Sequence, residues 1–374
     1  MTRRIATPLL LALMIIGAVA VSSRGATISH QLTVAVADAA PWTVLGSGGW
    51  AQISKGHVIF YAPDSTERST VELRGKEVLA GSPGARVVGV VAYADEQPTL
   101  LRVVRFDLYD ESGRRLLTLN EPSFANVIVS PSGSGFVGLD GAEDFPRTIL
   151  RFYDGQGTVR DTLPVTNFEG GRFSADGSRF FFESAGAGLV VTTSSGQVVD
   201  TIGRVDTWGA SDDGTVIGVA VGSNLVFYRD GRQVGALPWP QPQERIRMIA
   251  VAPGGTHAGV VSASRAAVVR LDSLSYLWNK ATDNPEWNFR SIDVAPGCAY
   301  VAVGQDHDPG AQRPGRHDRS RCMIFDASGA MQFAEERYPT SWAARFPQVR
   351  LVGGGTGLVM IDRDGFTRWL AAGN

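Results

Sequence analysis

The chain has 374 residues, 44% of them apolar and 19% charged, with a formal net charge of −2. That composition suits a globular protein with a sizeable core, and the lack of any long basic or acidic run argues against nucleic acid as a partner. Arginine outnumbers lysine by 32 to three (Lys55, Lys76 and Lys280); beside so much Ala, Gly and Val, the bias reads as a GC-rich genome.

In chain order, the first feature is a targeting segment. Thr2-Arg3-Arg4 gives a positive start, Pro8 to Val21 is an apolar run of 14 residues, and Ala18-Val19-Ala20 offers a small-x-small cleavage site, with alternatives as late as Ala26. This is the three-part pattern of a secretory signal, and the run is short for a membrane span. No cysteine lies near the site, so no lipoprotein anchor is expected; an uncleaved N-terminal anchor is the rival reading. Residues 1–26 are read as signal peptide and short leader, and residues 27–374 as the folded domain. Removing Arg3 and Arg4 leaves 33 basic against 37 acidic residues, a mature charge of about −4.

After the leader, a turn signal recurs. It reads Gly46-Ser47-Gly48-Gly49, Gly81-Ser82-Pro83-Gly84, Ser130-Pro131-Ser132-Gly133 and Ser174-Ala175-Asp176-Gly177. It returns as Ser211-Asp212-Asp213-Gly214, Ala252-Pro253-Gly254-Gly255, Ala295-Pro296-Gly297-Cys298 and Val352-Gly353-Gly354-Gly355. The period is roughly 42 residues, that of a four-stranded propeller blade. A second series interleaves, including Asp110-Glu111-Ser112-Gly113, Asp154-Gly155-Gln156-Gly157 and Asp326-Ala327-Ser328-Gly329. Each unit therefore has four strands joined by two tight turns and two variable links. No stretch shows a 3.6-residue period over 12 residues, so almost no helix is expected.

Units this small must stack or close into a ring. The last unit supplies three strands, near Val349–Val352, Gly357–Asp362 and Phe366–Leu370, and the orphan strand near 31–37 could complete it as the fourth. The expected fold is all-β: a single β-propeller of four-stranded antiparallel blades. Eight blades is the favoured count, and seven follows if Gly46–Gly49 is only a loop.

The turns Ser130–Gly133, followed by Phe136-Val137, and Ser174–Gly177, followed by Phe180-Phe181-Phe182, resemble those of WD-like β-propeller repeats. Such repeats occur in bacterial periplasmic propellers of the Tol-Pal type. The resemblance covers most of residues 40–372 at the level of the repeat, without the Gly-His and Trp-Asp dipeptides of true WD repeats. It implies a fold and a tendency to bind partners, and no specific activity.

The variable links share one face of the disc, and they collect the aromatic and charged residues that dominate interfaces. Trp208, Trp239, Arg245, Trp287, Arg290, Tyr338 and Trp342 are the candidate partner-binding set, weighed against the plainer reading that such rings wedge between blades as core. The longest link, Gln305–Ser320, holds Asp306, His307, Asp308, His317 and Asp318. His307, Asp308, His317 and Asp318 are its metal candidates, although nearby arginines oppose a cation and a solvated insertion fits better. Gly133–Gly138 matches G-x-G-x-x-G but lies between strands, so it reads as a turn. Cys298 and Cys322 fall at opposite ends of one ladder, which predicts two free, buried thiols.

These features suggest an exported, monomeric, non-catalytic binding or scaffold platform, periplasmic or extracellular, for a protein, peptide or cell-envelope ligand. No cofactor and no membrane span after signal cleavage are expected. The alternative is a propeller-type metal-dependent hydrolase or lactonase with a central-channel site near Asp176, Asp212, Asp293 and His257. N-terminal sequencing of the protein recovered from outside the cytoplasm should find a first residue between 21 and 27. A chain that still begins at Met1 or Thr2 would instead mark an uncleaved anchor.

Overall fold

The computed structural model describes residues 28–35, 42–73, 77–81, 85–94, 103–141, 147–308, 319–337, 348–352, 357–362 and 365–371. These form eight four-stranded sheets, and among the described residues the one helical turn is the 3-10 turn Pro296–Cys298. The molecule is a single β-propeller. The inner strands of successive blades are Trp42–Val44, Glu77–Ala80, Asn126–Val129 and Phe168–Phe173, then Thr207–Ala210, Met248–Val251, Trp287–Val294 and Gln348–Val352. Seven blades are built from consecutive strands. The eighth combines Gln348–Val352, Gly357–Asp362 and Gly365–Ala371 with Ile28–Ala35, which pairs antiparallel from Ile28 opposite Ala371 to Ala35 opposite Gly365.

The recurring turn is a small hydrogen-bonded lock. In the fourth blade Ser174 Oγ donates to Asp176 Oδ1 (2.7 Å), the Ser178 N–H donates to the same oxygen (2.9 Å), and Arg179 N–H donates to Ser174 Oγ (3.0 Å). The fifth blade repeats it with Ser211, Asp213 and Thr215, and Val216 N–H closes on Ser211 Oγ at 3.0 Å. These side chains satisfy donors that a tight turn would otherwise leave open. The turn glycine has a second duty. Gly214 takes φ 69°, and a Cβ there would lie 2.8 Å from Arg179 Cγ and 2.9 Å from the Phe181 ring, so the turn can nest against the preceding blade. Backbone bonds stitch neighbouring turns together: Gly46 N–H to Ala85 O (2.9 Å), Arg86 N–H to Pro131 O (2.7 Å) and Asp176 N–H to Asp212 O (3.0 Å).

Between blades the apolar faces interdigitate. Phe106, Phe124, Phe136 and Tyr153 fill the space between the second and third blades, with Phe136 and Tyr153 stacked at 4.6 Å. Phe152, Phe173, Phe180 and Phe182 do so between the third and fourth. The second strand Val87–Tyr93 is buried on both faces over its first six residues, so each blade needs a neighbour on either side.

Every outer strand carries one β-bulge close to its tight-turn end. The residue without an opposite number is Arg68, Leu116, Arg160, Val199, Val234, Leu277 or Gln332 in the first seven blades. In the eighth it is Gln31, between His30 and Leu32. The strand from the start of the chain therefore has the local geometry of the other outer strands.

The loop expected at Gln305–Ser320 is shorter than the sequence suggests. The second strand of the seventh blade, Tyr300–His307, continues through Gln305, Asp306 and His307, and the third begins at Ser320. The two thiols are free and buried; Cys298 sits in the turn at φ 60°, whereas Cys322 lies opposite Gly304, well up the ladder.

Asp213 is the lock most open to test. Burial alone would push its carboxyl up, but hydrogen bonds from Ser211 and Thr215 outweigh that and hold it below the ordinary carboxylate range. Its contribution is thus present above the unfolded-state value near 3.9 and is lost as pH falls through the lower folded value. Asp213→Ala should cost about 1 kcal/mol at pH 7. In denaturant titrations the gap to wild type should close below about pH 4.

Candidate functional site

All inner strands run from the variable-link face to the tight-turn face, so equivalent positions form layers around the central channel. The residue two before the tight turn is small or apolar in five blades: Thr43, Leu79, Ile128, Gly209 and Ala250. It is charged in three: Arg172, Asp293 and Arg350. This position faces the inner strand of the next blade. Arg172 Nη2 donates to Trp208 O (3.1 Å), and its guanidinium lies 3.9 Å from the Trp208 ring centroid. Asp293 Oδ2 accepts from Leu351 N–H at 2.8 Å. At Gly209 any Cβ would strike Ile249 O at 2.1 Å.

The charges in this layer feel one another. Arg172 is exposed, yet partial desolvation among the inner strands and then the like charge of Arg350 pull its pKa down to about 10, against a smaller opposing effect of Glu183. Burial pushes the Asp293 carboxyl up, while Arg350 and the Leu351 and Val294 N–H groups pull it back. At the tight-turn mouth Asp212 is pushed up by burial, then by Asp293 and Asp176. The channel thus has a basic interior and an acidic end.

The variable-link face differs from the aromatic surface expected there. Trp239 is only 2% exposed and packs with Leu225, Phe227, Ile246 and Ile249 between the fifth and sixth blades. Trp287 is 5% exposed. Trp208 is half-buried, its Nε1 donating to Glu183 Oε1 at 2.6 Å and its ring 5.1 Å from Phe181. Trp208 and Trp239 are wedges between blades, and the burial of Trp239 and Trp287 corrects the sequence reading of those two as presented surface. Tyr338 and Trp342 lie outside the described residues.

Trp287 instead carries a set of charges. The guanidinium of Arg321 lies 4.7 Å and that of Arg319 5.4 Å from its ring centroid, and His307 meets it edge-on at 5.2 Å. Arg321 donates to both oxygens of Asp283 (2.8 and 3.2 Å) and to the Gln305 side-chain Oε1 (2.9 Å from Nε). Below, Arg290 pairs with Asp306 at 2.6 Å, with Asp306 fully buried. Asp283 and Glu286 remain exposed at the top of this network, and Arg245 and Arg247 are exposed on the preceding link. Arg245 donates to Asp206 O (3.4 Å) and Arg247 to Phe289 O (3.2 Å).

The metal candidates separate. His307 Nε2 lies 2.8 Å from Arg319 Nη2 and 3.1 Å from Glu286 Oε2, and Asp308 N–H donates to Glu286 O. A cationic neighbour at that nitrogen opposes a metal. His317 and Asp318 lie outside the described residues, and among those described no three His, Cys, Asp or Glu side chains are grouped to hold a metal ion. Of the channel candidates, Asp176, Asp212 and Asp293 lie near enough to interact, whereas His257 turns to Thr256 (3.0 Å) and senses Arg270 and Asp272. Arg172, Arg350, Arg319 and Arg321 were not among the residues singled out in the sequence. Aligning the blades by their turns would have found the first two, as charges at an otherwise small or apolar position.

With this geometry in view, comparison with solved structures places the fold. The C-terminal WD40 domain of Sif2 superposes with a TM-score of 0.60 at 11% identity, over 93% of this chain and 99% of that one. BamB from Moraxella catarrhalis gives 0.54 at 12% identity, over 92% and 97%. The chain has a WD-like β-propeller fold. No family model matches it, and no curated protein matches it in sequence. Among the described residues no helix is long and apolar enough to cross a membrane.

The wedge and rim assignments predict opposite outcomes. Trp239→Ala should cost about 3–5 kcal/mol, as loss of a buried Trp does. Arg245→Ala should leave the melting temperature near that of wild type. Paired thermal melts check both.

Proposed function

We propose that the protein is an exported binding platform for a protein, peptide or cell-envelope ligand, docking on the variable links over the fifth to seventh blades. The observation that carries this reading is the charged rim held over Trp287. Asp283 is gripped by both arms of Arg321, Glu286 stands beside His307, and Arg245 and Arg247 stand on the neighbouring link. Charges held in place lose little conformational freedom on binding, and an exposed rim of both signs selects a complementary partner and speeds encounter. The leader sequence supports export.

A hydrolase reading has one observation on its side, the raised Asp212 carboxyl beside Asp176 and Asp293. Metal analysis of the purified protein and of an Asp212→Asn variant tests that reading.

For the platform, crosslinking capture from the native envelope should retain a partner with wild type. Capture should fall at least tenfold with an Arg245→Glu, Arg247→Glu double variant that melts normally, and it should weaken with salt. An Asp230→Lys change on the tight-turn face should leave capture intact. Equal capture by all three proteins would sink this docking face.

A further inference from the structure

We propose that the central channel holds an anion-binding site, built by Arg172 and Arg350, for a small carboxylate- or phosphate-bearing ligand that enters from the variable-link mouth. This goes beyond the platform reading and uses the channel, sharing with the proposed docking rim only Arg247 at the link-face mouth.

The argument starts from ring geometry. Arg172 stands on the fourth inner strand and Arg350 on the eighth, at the same layer and four blades apart in a ring of eight. Inner strands that face each other across a ring share only the channel, so that is the space in which the two guanidinium groups influence each other. Neither forms an ion pair with a carboxylate among the described residues. Arg172 is spent only on the Trp208 carbonyl and indole face, which leaves part of its donor fork open.

Two like charges that act on each other at a partly desolvated place are costly unless something neutralises them. The carboxylate of the same layer, Asp293, senses Arg350 but is turned into the wall, where it accepts the N–H groups of Leu351 and Val294. An oxyanion is what two guanidinium forks are shaped to take.

The direction of entry follows from the two mouths. Asp176 and Asp212 sit in the turns at one end and repel an anion. Towards the other end burial and then the like charge of Arg290 pull the Arg247 pKa down, and Asp306 pairs with Arg290. An anion therefore meets a favourable potential from the link face inward and a barrier beyond the arginine layer.

The test is titration of purified wild type with inorganic phosphate and with citrate, against sodium chloride at matched ionic strength. It is read by isothermal calorimetry and by tryptophan fluorescence, since Trp208 lies under Arg172. Saturable binding of phosphate, citrate or both is expected, and the arm that responds identifies the chemistry. Arg172→Gln and Arg350→Gln should each weaken it about tenfold or more, and Asp293→Asn should tighten it by removing the opposing charge. If a Gln variant fails to fold, Arg350→Lys carries the test: it keeps the charge, loses the fork, and should show an intermediate loss. A response no greater than that to chloride, or one indifferent to substitution at both arginines, would overturn the site.

Discussion

The ladder between Ile28–Ala35 and Gly365–Ala371 is the constraint on which the molecule depends. Each blade is apolar on both faces of its middle strands, so a blade with one neighbour is a half-solved problem in burial. A row of such blades would leave two faces wet wherever it ended. Pairing the beginning of the chain to its end removes the row's ends, and it does so with backbone hydrogen bonds that do not depend on which side chains are present. The energetic weight of closure is therefore carried by main chain, while side-chain packing between blades is free to differ from one interface to the next, dominated by phenylalanines in the second to fourth blades and by aliphatic side chains with interspersed tryptophan and phenylalanine in the fifth to seventh.

The architecture was legible in the sequence because its signal is local. A Ser or Pro, an Asp, and a Gly within a few residues close a turn by themselves, and Ser174, Asp176 and Gly177 need nothing distant to do so. The site was not legible in the same way. Trp239 in Leu-Pro-Trp-Pro has a loop's sequence and a core's environment, because which way a ring turns on a link is decided by Ile246 and Ile249 of the next blade. The polar run Gln305-Asp306-His307 reads as solvated until Arg290, Arg319 and Arg321, contributed by other strands and links, supply its partners and let it continue a strand. Arg172 and Arg350 become conspicuous only when blades are compared at one register.

The two faces of the disc divide the labour. Turns on one face repeat the same lock and stitch neighbours together, so a substitution there disturbs closure of the blade. Links on the other face follow no common pattern and carry the paired charges. A propeller can thus vary what it presents without retuning what holds it, the arrangement by which rigid scaffolds commonly carry function on their loops.

Each of the eight outer strands leaves one row of backbone donors and acceptors facing outward, and a flat row of that kind is a template for another chain. The bulge found on every one of them interrupts the row near its tight-turn end and twists what remains. Because the interruption recurs around the whole circumference, no perimeter strand offers an unbroken seam for rim-to-rim polymerisation into sheets or fibrils. Crowding such discs should thicken a solution before it seeds a solid.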